Sequence, residues 1–279
     1  MKTIAIAGTG LIGASFGLAL RKAGFSGEIL GVSSERAIAD AAAAGAIDRG
    51  ATLAEAAGSA DLIFLSQTIG RILDTLHHLD PLVKDGALVT DAGSTKCEIV
   101  DAAMQHLTRC QFLGGHPMAG KERRGAKEAS ADLFSGQIWV LTPVEAGAMN
   151  TDAAHDFRHW LERIGARVAV LDCEAHDSIV AMTSHLPQLA STALAALLGE
   201  KLVEGQAAIS GSGLRDMTRL ALSSYDLWRD ILATNAERID GALAIYIQEL
   251  EHIRENLRTR ELQDEFERGS GWAERVRRR

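Results

Sequence analysis

Residues 3–20 read TIAIAGTGLIGASFGLAL: an apolar run, three glycines spaced G-x-G-x-x-G, and a second run of small and apolar residues. This order predicts a β-strand, a tight turn and an α-helix, the unit that opens a Rossmann-type sheet. Gly8 permits the turn, Gly10 leaves room for a pyrophosphate beside the backbone, and Gly13 lets the helix pack closely on the sheet. Free N–H groups at the start of that helix suit phosphate groups. The predicted dinucleotide contacts in this stretch are Gly8, Gly10, Leu11, Ile12 and Gly13.

The pattern of secondary structure changes near residue 172. Up to that point, strand-like and helical stretches alternate, which predicts a parallel sheet with helices on both faces. Beyond Cys173 no strong strand pattern remains, and alanine, leucine and charged residues dominate. We therefore expect an α/β Rossmann-type dinucleotide-binding domain over residues 1–172, followed by an all-α domain over residues 173–279.

Composition restricts the class of protein. The 279 residues are 47% hydrophobic and 24% charged, as in a water-soluble globular protein, and the net charge of −8 argues against nucleic acid and anionic membranes as partners. No apolar run is long enough to span a bilayer, and the run at residues 1–7 is too short for a signal peptide. The cysteines have no metal-ligand spacing, so we expect free thiols in a reducing cytoplasm and no metal site. They are Cys97, Cys110 and Cys173.

The end of the second predicted strand bears on the choice of cofactor. A site for NAD usually has an acidic residue here that binds the ribose 2′-hydroxyl, and Ser33 stands in its place. The hydroxyls of Ser33 and Ser34 and the charge of Arg36 suit the 2′-phosphate of NADP. The sequence thus favours NADP, with NAD as the alternative. Glu35 is out of register for the acidic role, and an ordinary polar loop is the structural alternative.

A histidine follows a glycine pair in the stretch GGHPMAGKE, residues 114–122. The apolar run before it predicts a strand that ends near His116 on a turn with little freedom. An imidazole held in this way can accept a proton from a bound substrate. A loop histidine beside a tight turn is the alternative.

Three further motifs contain residues that can bind or react. In DAGSTK, residues 91–96, the Ser94 hydroxyl can bond a substrate hydroxyl or cap a helix, and Lys96 can add positive charge. In SHLPQ, residues 184–188, a polar Ser-His pair interrupts an apolar helix and is either functional or a satisfied buried pair. In GSGLRDMTR, residues 211–219, two arginines one helical turn apart can bind a carboxylate, with solvated surface as the alternative. They are Arg215 and Arg219, and Trp228 lies on the next predicted helix.

Taken together, these motifs resemble those of the prephenate/arogenate dehydrogenases of tyrosine biosynthesis. The resemblance spans nearly the whole chain, through GxGLIGAS, DxGSxK, GGHPMAG, SHLP, GSGLRDMTR and LWRD in that order. It implies oxidative decarboxylation of prephenate to 4-hydroxyphenylpyruvate with reduction of NAD or NADP. It also implies a homodimer joined through the helical domain.

The resemblance also implies roles for individual residues. His116 would be the catalytic histidine bonded to the substrate's ring hydroxyl, Ser94 would assist there, and Arg219 would hold the ring carboxylate. The residues expected to line or shape the same pocket are His185, Glu122, Arg215, Gln188 and Trp228.

Two departures from the family pattern bear on specificity. Ser66-Gln67-Thr68 replaces a more usual small-residue–proline segment after the fourth strand, and Thr68 is the cofactor contact expected there. Gln188 follows SHLP, where a carboxylate would favour the ammonium of arogenate. A neutral amide there suits the keto acid of prephenate, so the sequence favours prephenate.

Other functions stay open at this stage. Arogenate dehydrogenase, or a cyclohexadienyl dehydrogenase that accepts both substrates, is the first alternative. A β-hydroxyacid dehydrogenase would need a catalytic lysine in the helical domain, and Lys201 lies in no such context. A non-catalytic NAD(P)-binding sensor would keep the glycines but would not need His116, His185 and Arg219.

Overall fold

The structure, a computed structural model, describes residues 1–121, 123–203, 205–259 and 261–278. The chain divides into two compact units, Met1–Asn235 and a second that begins at Ala236. The domain boundary predicted at residue 172 falls inside the first unit and stays a prediction. None of the described helices is long and apolar enough to cross a membrane.

One sheet of eight strands organises the described part of the first unit. Its strands are β1 Thr3–Ala7, β2 Glu28–Val32, β3 Arg49–Gly50, β4 Leu62–Leu65, β5 Leu88–Asp91, β6 Gln111–Pro117, β7 Ile138–Pro143 and β8 Arg167–Val170. Their spatial order is β3-β2-β1-β4-β5-β6-β7-β8. The predicted α/β Rossmann-type fold is thereby confirmed.

The prediction that the sheet is entirely parallel is wrong at one pair of strands. β7 runs antiparallel to β6, with His116 opposite Val140, whereas the other neighbouring strands are parallel. A parallel return needs a crossover, usually a helix. In its described residues, the connection from Pro117 to Ile138 contains only a short 3₁₀ turn, Ala126–Glu128, so the chain returns in the opposite direction.

Twelve α-helices complete the described chain. In the first unit they are α1 Leu11–Lys22, α2 Glu35–Ala43, α3 Leu53–Ser59, α4 Ile69–Leu79, α5 Cys97–His106, α6 Asp152–Arg163, α7 Cys173–Val180, α8 Leu186–Lys201, α9 Ser212–Thr218 and α10 Tyr225–Thr234. In the second unit they are α11 Ala236–Asn256 and α12 Gln263–Arg277. A π-helical turn, Ala181–His185, joins α7 to α8. Asn235 lies between α10 and α11, and its side-chain amide donates to the Asp177 carbonyl.

Two apolar layers cover the two faces of the sheet. Along β1, Ile4 and Ile6 enter one layer, whereas Ala5 and Ala7 enter the other, as the two-residue period of a strand requires. Burial on both faces is typical of a largely parallel sheet. In the first layer, aromatic rings of α1, β4 and β7 pack together, with the Phe16 and Phe64 centroids 4.6 Å apart. This packing fixes the carboxyl ends of the central strands, where the candidate site lies.

Candidate functional site

Two glycines at the turn after β1, Gly8 and Gly13, tolerate no side chain. Gly8 has φ +96°, and a Cβ there would lie 2.7 Å from the Ser66 carbonyl oxygen. A Cβ on Gly13 would lie 2.1 Å from the Gly8 carbonyl oxygen, so the first turn of α1 touches the loop itself. The Ser66 hydroxyl donates to the Gly8 carbonyl at 2.7 Å and ties the turn to the end of β4.

The start of α1 suits a phosphate group. Gly10 is the N-cap, and nothing lies within 4 Å of the position that a Cβ would take there. In the described structure, no side chain caps the helix and no acidic residue lies in its first turn. Its N–H groups and positive dipole end are therefore open to an anion, and the residues present fit the pyrophosphate of a dinucleotide.

A cleft of about 400 Å³ runs along the carboxyl edge of the sheet. It brings together six of the residues predicted for the site, which are Gly10, Leu11, Ile12, Thr68, Ser94 and His116. Its lining also includes residues at the ends of β4 and β5, described residues of the long loop between β6 and β7, and residues in and just before α10. The predicted cofactor turn and the predicted catalytic histidine thus share one cavity.

His116 is the first member of a buried chain of hydrogen bonds. It lies on β6 with 9% of its surface exposed, and its Nδ1 is 2.8 Å from Nε2 of His176. Nδ1 of His176 is in turn 2.7 Å from an oxygen of Asp177. The same carboxylate accepts the backbone N–H groups of Lys96 (2.7 Å) and Cys97 (2.9 Å) at the start of α5. Asp177, and not Ser94, therefore caps this helix.

This chain of contacts determines the tautomer of His116. Burial opposes ionisation of Asp177, but hydrogen bonds from His176 and from backbone N–H groups hold its pKa below the ordinary value. An ionised Asp177 only accepts, so His176 carries its proton on Nδ1 and presents an unprotonated Nε2. His116 then donates from Nδ1, and its own Nε2 has a free lone pair.

His116 is also held in its neutral form. Burial lowers its pKa well below the ordinary value, and repulsion from a positive charge on Lys96, or on His176 or His185 when either is protonated, lowers it further. A neutral imidazole with a free Nε2 is the form that accepts a proton. Because His185 is among the groups that lower this pKa, the two predicted histidines lie in one neighbourhood.

A fully buried ion pair supports the strand that carries His116. Lys96 and Asp91 are both 0% exposed, and the ammonium donates to the carboxylate and, at 2.8 Å, to the Gly115 carbonyl. Asp91 accepts the N–H groups of Gly93 (2.8 Å) and Gly115 (3.0 Å). The positive charge predicted for Lys96 therefore holds the backbone beside the histidine.

His185 lies at the end of the π-helical turn and is 1% exposed. Burial lowers its pKa to about 4, so this ring is neutral as well. Its Nδ1 contacts the Asn235 amide at 3.3 Å, and its ring packs edge-on against Trp228 with centroids 5.7 Å apart. The buried Trp228 indole N–H has no hydrogen-bond partner among the described residues.

The other described residues predicted for the substrate site do not line the cleft. The Gln188 amide donates to the Leu220 carbonyl at 2.8 Å, which ties α8 to the turn after α9. Arg215 and Arg219 are exposed, on α9 and on the turn that follows it. Glu122 lies outside the described residues.

The loop after β2 is exposed along its length, and neither Ser33 nor Arg36 lines the cleft. The Ser34 hydroxyl accepts the Ala37 N–H at 3.4 Å and serves as the N-cap of α2. This is the structural alternative that the sequence left open for that serine.

Sequence reasoning missed His176 and Asp177. Their signal was an adjacent His-Asp pair just inside a helix start, with His176 eight residues ahead of the first residue of SHLP. Buried polar groups need hydrogen-bond partners. On that ground His176 and Asp177 could have been considered as site residues, as His185 was.

Known proteins resemble this chain over nearly its whole length. The family model described as "Prephenate dehydrogenase, nucleotide-binding domain" matches residues 16–170, and "Prephenate dehydrogenase, dimerization domain" matches residues 172–269. The prephenate dehydrogenase of Lactococcus lactis is 34% identical over 92% of this chain and 70% of its own length.

Solved structures give the same picture. The prephenate dehydrogenase of Aquifex aeolicus, in complex with hydroxyphenyl propionate and NAD⁺, superposes with a TM-score of 0.87 at 30% identity, covering 99% of this chain and 97% of that one. The arogenate dehydrogenase of Synechocystis superposes with a TM-score of 0.78 at 30% identity, covering 99% and 98%.

Proposed function

Because the chain belongs to the prephenate dehydrogenase family, we propose that it catalyses the oxidative decarboxylation of prephenate to 4-hydroxyphenylpyruvate with reduction of NAD or NADP. The observation that carries this proposal is the neutral His116, held with a free Nε2 in the cleft that also contains the open start of α1. The arrangement joins a proton acceptor to a dinucleotide site. A non-catalytic sensor would need only the second of these.

The chemistry requires a base at the ring hydroxyl. NAD or NADP, when bound, accepts a hydride from the carbon that carries this hydroxyl. As the C–H electrons leave, the hydroxyl proton must depart too, or positive charge builds up at that carbon. Nε2 of His116 takes the proton, and the half-buried Ser94 hydroxyl, in the lining of the same cleft, bonds the same oxygen. Carbon dioxide leaves from the opposite ring carbon as the ring becomes aromatic, and the proton on Nε2 returns to the phenolate oxygen of the product. Aromatisation makes the reaction irreversible.

The buried groups behind His116 support this step. Once protonated, the imidazole donates from Nδ1 to His176, whose other nitrogen faces the Asp177 carboxylate. That negative charge stabilises the developing imidazolium without taking the proton itself. Lys96 holds the neighbouring backbone, so the ring does not need to reorganise during the reaction.

A direct assay tests the proposed function. The purified chain is offered prephenate and arogenate, each with NAD and with NADP, and formation of the reduced cofactor is followed by absorbance. We expect turnover with prephenate. Turnover with arogenate alone would favour the arogenate dehydrogenase alternative, whose Synechocystis representative shares this fold. Binding of cofactor without turnover of either substrate would favour the sensor.

We propose that Arg219 binds the ring carboxylate of the substrate. A charge-assisted contact of this kind contributes about 1.5–3 kcal/mol. Arg219→Ala should therefore raise KM for prephenate by roughly 10- to 150-fold and change kcat much less. Arg215→Ala, one helical turn away and equally exposed, is the matched control. If Arg215→Ala shows the larger KM effect, the carboxylate belongs to that arginine.

We propose that the chain uses NADP at least as well as NAD, since Ser33 and Arg36 are exposed where NAD enzymes usually carry an acid. Ser33→Asp should shift the ratio of kcat/KM values toward NAD, because the carboxylate accepts from the ribose hydroxyl and repels the 2′-phosphate. The measurement is kcat/KM for both cofactors in both proteins. A strong wild-type preference for NAD would contradict the proposal, and an unchanged ratio in Ser33→Asp would show that this position does not bear on the choice of cofactor.

The homodimer is a proposal that the helical segment supports. Apolar side chains are exposed on the helical stretches of the first unit and, separately, on those of the second. They include Leu197, Ile209, Leu222 and Tyr225 in the first unit and Ile245, Phe266 and Trp272 in the second. Such exposure is typical of a surface that a partner covers. Location in the cytoplasm stays a prediction that the three free thiols support.

A further inference from the structure

The loop between β6 and β7 carries a concentration of positive charge in a chain whose net charge is −8. Within the sequence KERRGAKE, residues 121–128, four cations fall inside seven residues. They are Lys121, Arg123, Arg124 and Lys127. We call this segment the basic loop.

The second half of the basic loop is anchored on the dinucleotide-binding helices. Ala126 is 5% exposed and packs in the same apolar cluster as Ala14 of α1. The Lys127 ammonium lies 3.5 Å from the Asp40 carboxylate on α2. Just beyond the loop, the Ser130 N–H donates to the Ser15 hydroxyl of α1 at 3.0 Å. These contacts fix the position of the chain just after Arg123 and Arg124.

The described residues in the first half of the basic loop line the cleft. Arg123, Arg124 and Gly125 share this lining with Gly10 and with the first residues of α1. Gly125 has φ +94°, a backbone conformation that residues with a side chain rarely adopt. The chain turns here, between the two arginines and the packed Ala126. Both arginines therefore belong to the lining of the cavity that contains the start of α1.

The charges of these arginines are available for a ligand. The Arg123 side chain is 81% exposed, and its guanidinium reaches Glu128 only at 3.6 Å. Arg124 is exposed and makes no ion pair or hydrogen bond within the described ranges 1–121, 123–203, 205–259 and 261–278. Lys121 differs, because its ammonium donates to the Glu128 carbonyl at 2.7 Å.

We propose that Arg124, assisted by Arg123, binds the pyrophosphate of the dinucleotide from the side opposite the start of α1. The N–H groups of Leu11 and Ile12 face one side of the anion, and a planar guanidinium closes the other with paired hydrogen bonds. The loop is thus a clamp on the cofactor. This inference rests on the proposed function, since it needs a bound NAD or NADP.

The 2′-phosphate of NADP is the competing anion. The residues that would surround it, Ser33 to Arg36, do not line the cleft that contains Arg124. The pyrophosphate is common to NAD and NADP, whereas the 2′-phosphate occurs only in NADP. If Arg124 binds the pyrophosphate, its loss weakens NAD and NADP alike. If it binds the 2′-phosphate, its loss weakens NADP alone.

The test is a binding titration without turnover. NADH and NADPH fluorescence is used to measure Kd for the full chain, for Arg124→Gln and for Arg123→Gln/Arg124→Gln, at two salt concentrations. We expect Arg124→Gln to weaken both cofactors about 10-fold and by the same factor, with a further loss in the double variant and a shallower salt dependence. Arg158→Gln, which removes an exposed arginine paired with Glu162 on α6, is the matched control and should leave both Kd values unchanged.

Three results would count against the clamp. Unchanged Kd values in the double variant, with its far-ultraviolet circular dichroism intact, would overturn it and leave the proposed function standing. Weakening of NADPH alone would assign the arginine to the 2′-phosphate instead. Failure of the wild-type chain to bind either cofactor would overturn the proposed function and the clamp together.

Discussion

His116→Asn is expected to lower kcat by about 10²–10⁴-fold while leaving KM for substrate and cofactor within a few-fold. The amide of asparagine can still bond the ring hydroxyl but cannot take its proton. The buried surroundings of His116 strengthen this expectation, because its lowered pKa and its contact with His176 hold the base neutral with a free Nε2. Steady-state kinetics at saturating cofactor give both parameters.

His78→Asn is the control for this experiment, since it makes the same substitution at an exposed histidine of α4. Its kcat should equal that of the wild type. A kcat of His116→Asn within a few-fold of the wild-type value would remove His116 from the role of base. A large rise in KM with little change in kcat would assign it to binding instead.

Lys96→Met is expected to lower the free energy of unfolding by about 3–5 kcal/mol. The change removes the ammonium that faces Asp91 and leaves a carboxylate buried at 0% exposure without its counter-charge. It also takes away the hydrogen bond that the Gly115 carbonyl receives. Denaturant unfolding followed by circular dichroism measures the loss.

Lys84→Met is the matched control, because Lys84 pairs with Asp61 at the surface, where the two side chains are 44% and 28% exposed. Exposed pairs contribute about 0–1 kcal/mol, so this variant should unfold nearly as the wild type does. Adding Asp91→Asn to Lys96→Met should recover part of the lost stability by removing the unpaired charge. Equal unfolding free energies for the two lysine variants would contradict the role given to the buried pair.

Much of the fold was predictable, because its signals are local. The glycine spacing after β1 predicts which backbone positions need φ above zero or close contact. In the structure Gly8 has φ +96°, and Gly13 packs directly against the turn. The apolar runs give the strands, and their alternation with helical stretches gives the Rossmann-type order. The antiparallel β7 was missed because strand direction depends on whether a crossover helix forms, and no local pattern reports that.

The candidate site, like the fold, was predictable only where its signals are local in sequence. Motifs within a few residues of one another identified His116, Ser94 and the start of α1, and the structure places all three in one cleft. Their catalytic and binding roles stay predictions. Gln188 shows the limit of such reasoning, because its residue type suggested a substrate contact whereas its amide donates to the Leu220 carbonyl, 32 residues away.

By itself, the sequence determined the glycine turn, the strand-helix order, the family and the residue types available for chemistry. Only the tertiary structure decided which of those residues touch. His116 meets His176 across 60 residues of chain, and the N–H of Lys96 meets Asp177 across 81, because β6, α5 and α7 converge beside one edge of the sheet. Backbone preferences act between neighbours in sequence, whereas hydrogen bonds and desolvation act between neighbours in space. The tautomer and charge of the catalytic histidine are set by the second kind of neighbour, so no stretch of sequence alone could specify them.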